Sequence, residues 1–145
     1  MNVGIILYSQ TGNTLAVAQR MQECLVAAGH TAQLERITVR QSQNRNAAGD
    51  LMDIPSVDGY DAVIFGAPVQ GFRLCEPMTK YLTQLPDLQG LPVACFLTQA
   101  LTRKWMGGNR AWQTMYTLIT AKGSEPQRIG HVHWRSEHRD AQIAD

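Results

Sequence analysis

An α/β fold, built on a doubly wound five-stranded parallel sheet, follows from three features of the sequence. Apolar runs alternate with helix-spaced segments along the whole chain. Two of the runs, Val3–Tyr8 and Tyr60–Gly66, are nearly continuous, as in strands buried on both faces. The third feature is placement: polar, glycine-containing loops follow those same two strands. In the strand order 2-1-3-4-5 the carboxyl ends of the first and third strands flank a crevice, so the two loops face one ligand.

The elements follow in order. After the strand Val3–Tyr8, residues Leu15, Val17, Ala18, Met21, Leu25 and Ala28 recur at helical spacing, and Gly29 supplies a stop. Thr31–Ile37 alternates like an edge strand. Thr38–Gly59 is polar and reads as a loop with at most one short helix. Tyr60–Gly66 is the third strand. Leu74–Leu85 is a helix, with Pro77 suited to a first turn and Pro86 closing it. Leu91–Leu97 is the fourth strand, with Pro92 tolerable at its start. A helix over about Asn109–Lys122 ends at Gly123, and the more polar Arg128–Trp134 is a fifth strand near an edge. Ser136 is placed to cap a last helix, for which only about two turns of chain remain at ~3.6 residues each.

Bulk properties narrow the function classes. The 145 residues read as one domain over 1–145, long enough to bury a core without disulfide or metal. No run approaches a membrane span, and the apolar start is too short and unflanked for a cleavable signal. Cys24, Cys75 and Cys95 form no C-x-x-C pair, which points to a reduced, cytoplasmic setting without a zinc or iron–sulfur centre. Thirteen basic against twelve acidic side chains leave a net charge of +1, with no field to attract nucleic acid or anionic lipid.

The chemistry centres on Ser9-Gln10-Thr11-Gly12-Asn13-Thr14, the loop between the first strand and first helix. Such a loop aims free main-chain N–H groups and the positive end of a helix dipole at one spot. Ser9, Thr11 and Thr14 add hydroxyls, and Gly12 permits positive φ. No lysine or arginine precedes Arg20, so an anion here is held by dipoles, which suits a phosphate monoester that is gripped and never transferred. The chain lacks the Gly-Lys-Ser/Thr ending of nucleotide-hydrolysing loops and the Gly-x-Gly-x-x-Gly of dinucleotide folds. The bland alternative is an ordinary N-cap before a surface helix.

Ser9–Thr14 after a buried strand resembles the phosphate loop of the flavodoxin family, which binds flavin mononucleotide (FMN), and the likeness runs over about Met1–Ala144. Gly66-Ala67-Pro68-Val69 is similar to the opening of the family's second loop, which lies along the flavin ring. The resemblance implies ring contacts from Pro68, Val69 or Phe72, cofactor binding by Gln70 in the same loop, and a Gly71 backbone able to turn when the ring gains a proton. It implies a third flavin loop at Thr98-Gln99-Ala100, where many members stack a tyrosine; none is present, and Trp105 is the nearest aromatic. Read without the resemblance, Phe72 caps the core.

Two departures bear on function. Near-neutral charge removes the repulsion that acidic members exert on a reduced, anionic flavin, so a less extreme reduction potential is expected. The short stretch after Ser136 leaves one sheet face either open or covered by a partner chain, hence the expectation of a homodimer. The leading reading is an electron carrier that accepts electrons from a reductase and passes them to a redox partner protein or small-molecule oxidant, with no catalytic side chain and no metal. An FMN-dependent NAD(P)H:quinone or small-molecule reductase is the enzymatic alternative, and a flavin-free interaction module the non-catalytic one. Cys75 and Cys95 read as packed thiols and Cys24 as helix packing. His131 and His133 read as solvated strand residues.

Overall fold

Strand, helix and strand succeed one another as the apolar runs require: β1 (Asn2–Leu7), α1 (Asn13–Ala27), β2 (Thr31–Arg36), β3 (Thr38–Val39), β4 (Leu51–Asp53), β5 (Ala62–Gln70), β6 (Arg73–Leu74), α2 (Glu76–Gln84), β7 (Val93–Gln99), α3 (Gly108–Ala121) and β8 (Pro126–His133). The computed structural model describes residues 1–10, 12–40, 51–70, 72–99 and 108–133. Five parallel strands lie in the order β2-β1-β5-β7-β8, which is the expected 2-1-3-4-5 once the short strands are set aside.

Side-chain alternation along the buried strands explains why both faces need cover. Ile5 and Leu7 turn toward α1, joined by Val17, Ala18 and Phe96. Ile6 turns the other way, with Val63, Phe65, Cys95 and Leu97, onto Met78, Tyr81 and Leu82 of α2 and Met115 and Ile119 of α3. Phe65 meets Tyr81 edge-on, with ring centroids 6.1 Å apart. Each such side chain contributes roughly 1.5–3 kcal/mol by leaving water, which is what holds helices to a sheet this small. On the α1 face an apolar groove of about 310 Å³ runs between Leu25, Ile64, Ala94 and Gln127. The expected short final helix and the face it would leave uncovered concern residues 136–145, which lie outside the described residues, as do Trp105 and Trp134.

Four readings change. The stretch expected to be loop from Thr38 to Gly59 contains a small antiparallel sheet, β3 with β4, fastened where the Thr38 hydroxyl donates to Asp53 Oδ2 at 2.6 Å. Strands of two and three residues are too short to show a period, so the pattern could not reveal them. The third strand does not end at Gly66 but runs to Gln70, taking in residues expected to be loop. Its Pro68 is tolerated because its nitrogen lies on the β1 side of the strand, past the last β1 pair at Gly66, while β7 goes on pairing along the other side as far as Thr98. The helix expected from Leu74 starts at Glu76, since Arg73 and Leu74 pair with β5 as β6. Cys24 is exposed on α1 and packs nothing away, whereas Cys75 and Cys95 are buried as expected.

Gly66 sits where β1, β5 and β7 meet, and a Cβ there would collide with the ring of Phe96, which is itself only 1% exposed and cannot yield. Gly66→Ala should therefore cost about 1–3 kcal/mol by overpacking. Thermal denaturation should show a Tm lower by on the order of 5 °C. An unchanged Tm would mean that the sheet opens at this point more easily than its packing implies.

Candidate functional site

The loop after β1 is organised by Ser9. Its side chain is buried, and its Oγ accepts hydrogen bonds from the main-chain N–H of Gly12 (3.0 Å) and of Leu15 (3.4 Å). The residue at the helix's N-cap is Gly12, in the left-handed region at φ 91°, with no side-chain cap of its own. The first bond of the helical ladder runs from Ala16 N–H to the Gly12 carbonyl. That leaves the N–H groups of Asn13 and Thr14, which take no acceptor from the described residues. The ordinary-cap alternative is thus half realised: Ser9 caps from outside the helix, and two amides at the positive end of α1 stay open to an anion.

The second loop is a finger. Val69 pairs with Leu74 and Gln70 with Arg73. The Gly66 carbonyl accepts the Tyr8 N–H at 3.1 Å, and the Pro68 carbonyl, two residues on and so on the same strand edge, accepts the Cys75 N–H at 3.2 Å. β6 therefore takes up the edge of β5 where β1 stops. At the finger's tip Phe72 is 58% exposed and has φ 62°, a conformation that is strained for a residue with a side chain.

Two side-chain bonds tie the three regions together. Gln70 Nε2 donates to Gln10 Oε1 at 2.9 Å, joining the finger to the first loop. The Thr14 and Thr98 hydroxyls, both buried, lie 2.9 Å apart and join the start of α1 to the end of β7. Thr98 and buried Gln99 are the last residues of β7 rather than a loop. Ser9, Gln10, Gly12, Asn13 and Thr14 thus stand beside Pro68, Val69, Gln70 and Phe72, as the strand order requires. Thr11, Gly71 and Ala100, expected in the same site, lie outside the described residues.

A family model for the flavodoxin domain matches residues 5–132. The chain belongs to the flavodoxin-domain family. Solved flavodoxin structures have the same fold over nearly the whole chain. A flavoprotein from Lactobacillus acidophilus NCFM, in complex with FMN, is 17% identical with a TM-score of 0.65, covering 97% of each chain. Oxidised Flavodoxin 2 from Bacillus cereus is 17% identical with a TM-score of 0.66, covering 99% of this chain and 93% of that one. The two-electron reduced flavodoxin of Megasphaera elsdenii is 22% identical with a TM-score of 0.62, covering 98% and 95%. Among the described residues of this flavodoxin domain no helix is long and apolar enough to cross a membrane, and no cluster of ligating side chains could hold a metal.

One residue at the phosphate-type loop escaped the linear reading. Arg36, at the end of β2, reaches across and donates from Nη2 to the Ser9 carbonyl at 3.0 Å. Along the chain the loop has no lysine or arginine before Arg20; across the sheet it has Arg36. The signal was present in the strand order, because the residue ending strand two is the lateral neighbour of the loop after strand one.

Cys75 lies at the foot of the finger, yet burial pushes its thiol up to about 12, so at neutral pH it is protonated and inert. Burial likewise raises Cys95. A colourimetric thiol reagent at pH 8 should accordingly modify one cysteine per native chain, Cys24, and all three after unfolding. Prompt modification of two in the folded protein would show that the base of the finger opens.

Proposed function

We propose that this chain binds FMN non-covalently and carries electrons between a reductase and a redox partner. The observation that carries the reading is the convergence of three segments separate in sequence. Open amides at Asn13 and Thr14, the finger Pro68–Phe72 and the end of β7 at Thr98 and Gln99 stand side by side, held by the Gln10–Gln70 and Thr14–Thr98 bonds. These residues fit the group: amide donors at a helix start match a phosphate monoester, and a finger with an exposed aromatic tip matches a flat ring. Family membership and the FMN complex of the Lactobacillus acidophilus flavoprotein support the same choice.

Ser9 fixes the loop, and the Asn13 and Thr14 N–H groups would hold the phosphate. Gln10 and Gln70, bonded to each other, set the distance between phosphate end and ring end. Phe72, Pro68 and Val69 would lie along one side of the ring and keep water from it. Bound flavin supplies reversible uptake of one or two electrons. None of Ser9, Gln10, Gly12, Asn13, Thr14, Pro68, Val69, Gln70, Phe72, Thr98 and Gln99 carries an acidic or basic side chain, which favours transfer across a short gap over acid–base catalysis on a substrate. Three free cysteines, two of them buried, accord with a reducing, cytoplasmic setting.

Titrating the apoprotein into FMN should quench the flavin's fluorescence at micromolar protein, and absence of quenching there refutes the reading. A carrier should oxidise NAD(P)H only when a reductase is added; steady turnover by the protein alone would instead establish the reductase alternative. Phe72→Gly separates the tip's two properties. Relief of the positive φ should leave stability unchanged or raised, while loss of the ring contact should weaken FMN binding about tenfold. Unchanged affinity would remove Phe72 from the site.

A further inference from the structure

Arg36 is held at the first loop by the Ser9 carbonyl and, among the described residues, by no carboxylate. Its guanidinium lies against the loop that opens α1, a 15-residue helix whose start carries about half a positive charge. The first turn of α1 holds no acidic residue, and Ser9, Gln10, Asn13 and Thr14 are all neutral. Among the described residues no carboxylate lies within ion-pairing distance of Arg36; Arg20 and Glu23, at 3.1 Å, pair on the exposed side of α1. Glu35, next in the chain, is turned to the other face of β2, where it accepts a hydrogen bond from the Tyr60 hydroxyl. The Ser9 carbonyl accepts from Nη2 and leaves most of the guanidinium's five N–H donors unspent. Two positive ends are thus held together beside two open amides, an arrangement that an anion relieves.

We propose that Arg36 is the counter-charge to the phosphate of the bound flavin, and so the residue that makes this site select the phosphorylated flavin over its unphosphorylated form. The inference rests on the FMN reading above. It departs from a loop working by main-chain dipoles alone. Arg36 reaches the phosphate laterally from β2, the Ser9 contact fixing the guanidinium's position while its remaining N–H groups face the ligand. Because Arg36 is exposed, the attraction is screened, and its size is that of a surface charge-assisted contact.

Fluorescence titrations of FMN and of riboflavin against wild type, Arg36→Gln and Arg36→Lys test it. Arg36→Gln should weaken FMN binding about tenfold, the scale of one hydrogen bond to a charged group, and leave riboflavin affinity unchanged. Arg36→Lys, which keeps the charge, should recover most of the loss. Raising salt should weaken FMN binding to wild type and Arg36→Lys more than to Arg36→Gln. Equal loss of both flavins in Arg36→Gln would overturn the proposal and make Arg36 a mere brace for the Ser9 carbonyl. Unchanged FMN affinity, or wild-type affinity indifferent to salt, overturns it too, while the FMN reading stands. Wild type that binds neither flavin sinks both. Should Arg36→Gln fold poorly by circular dichroism, the salt dependence of wild type and Arg36→Lys decides alone.

Discussion

The pairing of Leu7 with Gly66, where β1 and β5 run side by side, is the constraint from which the rest of the site follows. β1 stops there and the chain leaves for α1. β5 does not stop, and its next four residues, Ala67–Gln70, run on past the end of β1, Ala67 and Pro68 still paired with β7 and Val69 and Gln70 with β6. Both consequences need the close approach at Gly66, where the ring of Phe96 occupies the volume a side chain would claim. A one-residue slip of this register would turn Ile5 and Leu7 off the α1 face and move the first loop away from the finger together. Core packing and site geometry are therefore specified by the same hydrogen bonds.

At the start of α1 the same economy appears in the accounting of donors. A helix start presents four N–H groups without helical partners. An Asp or Ser at the N-cap position itself would satisfy one of them from within the loop. Here the cap position holds Gly12, and the capping oxygen comes from Ser9, three residues earlier, serving the Gly12 and Leu15 amides. The left-handed φ of Gly12 lets the loop turn tightly enough for that reach, and nothing lies within 4 Å of where its Cβ would be. The donors stabilising the loop are distinct from those left outward, so filling the site does not require dismantling the cap.

How much was legible in the sequence follows from the range of each signal. Buried strands announce themselves by continuous apolar runs, so β1, β5 and β7 were placed to within a few residues, and their order located the crevice. The hexapeptide Ser9–Thr14 was legible because its chemistry is local. The hairpin Thr38–Val39 with Leu51–Asp53 was not, being too short for a period and held by a Thr38–Asp53 bond 15 residues apart. The extension of β5 through Pro68 was missed because proline normally ends a strand. It fails to do so only where a neighbouring strand has already finished, which is a fact of tertiary pairing. Arg36 was missed for a related reason: 27 residues separate it from Ser9, and only the strand order brings them together.

The two ends of the site differ in physics, and the difference bears on what the protein can regulate. The end proposed to hold the phosphate combines the buried Ser9 and the first turn of α1, which follow interior strand β1, with the close of edge strand β2, and the hydrogen bonds of Ser9 and Thr14 fasten it. At the other end Phe72 carries its side chain at a positive φ, a conformation costing on the order of 1–2 kcal/mol. Its ring is turned to solvent, so no core contact repays that cost. Beyond Gly66, the short β6 pairing, the neighbour β7 and the Gln70–Gln10 bond hold the finger. A ligand anchored at the fastened end would thus be read at its other end by an element that stores strain, so changes in the ring's charge would act on the finger and leave the anchor unmoved.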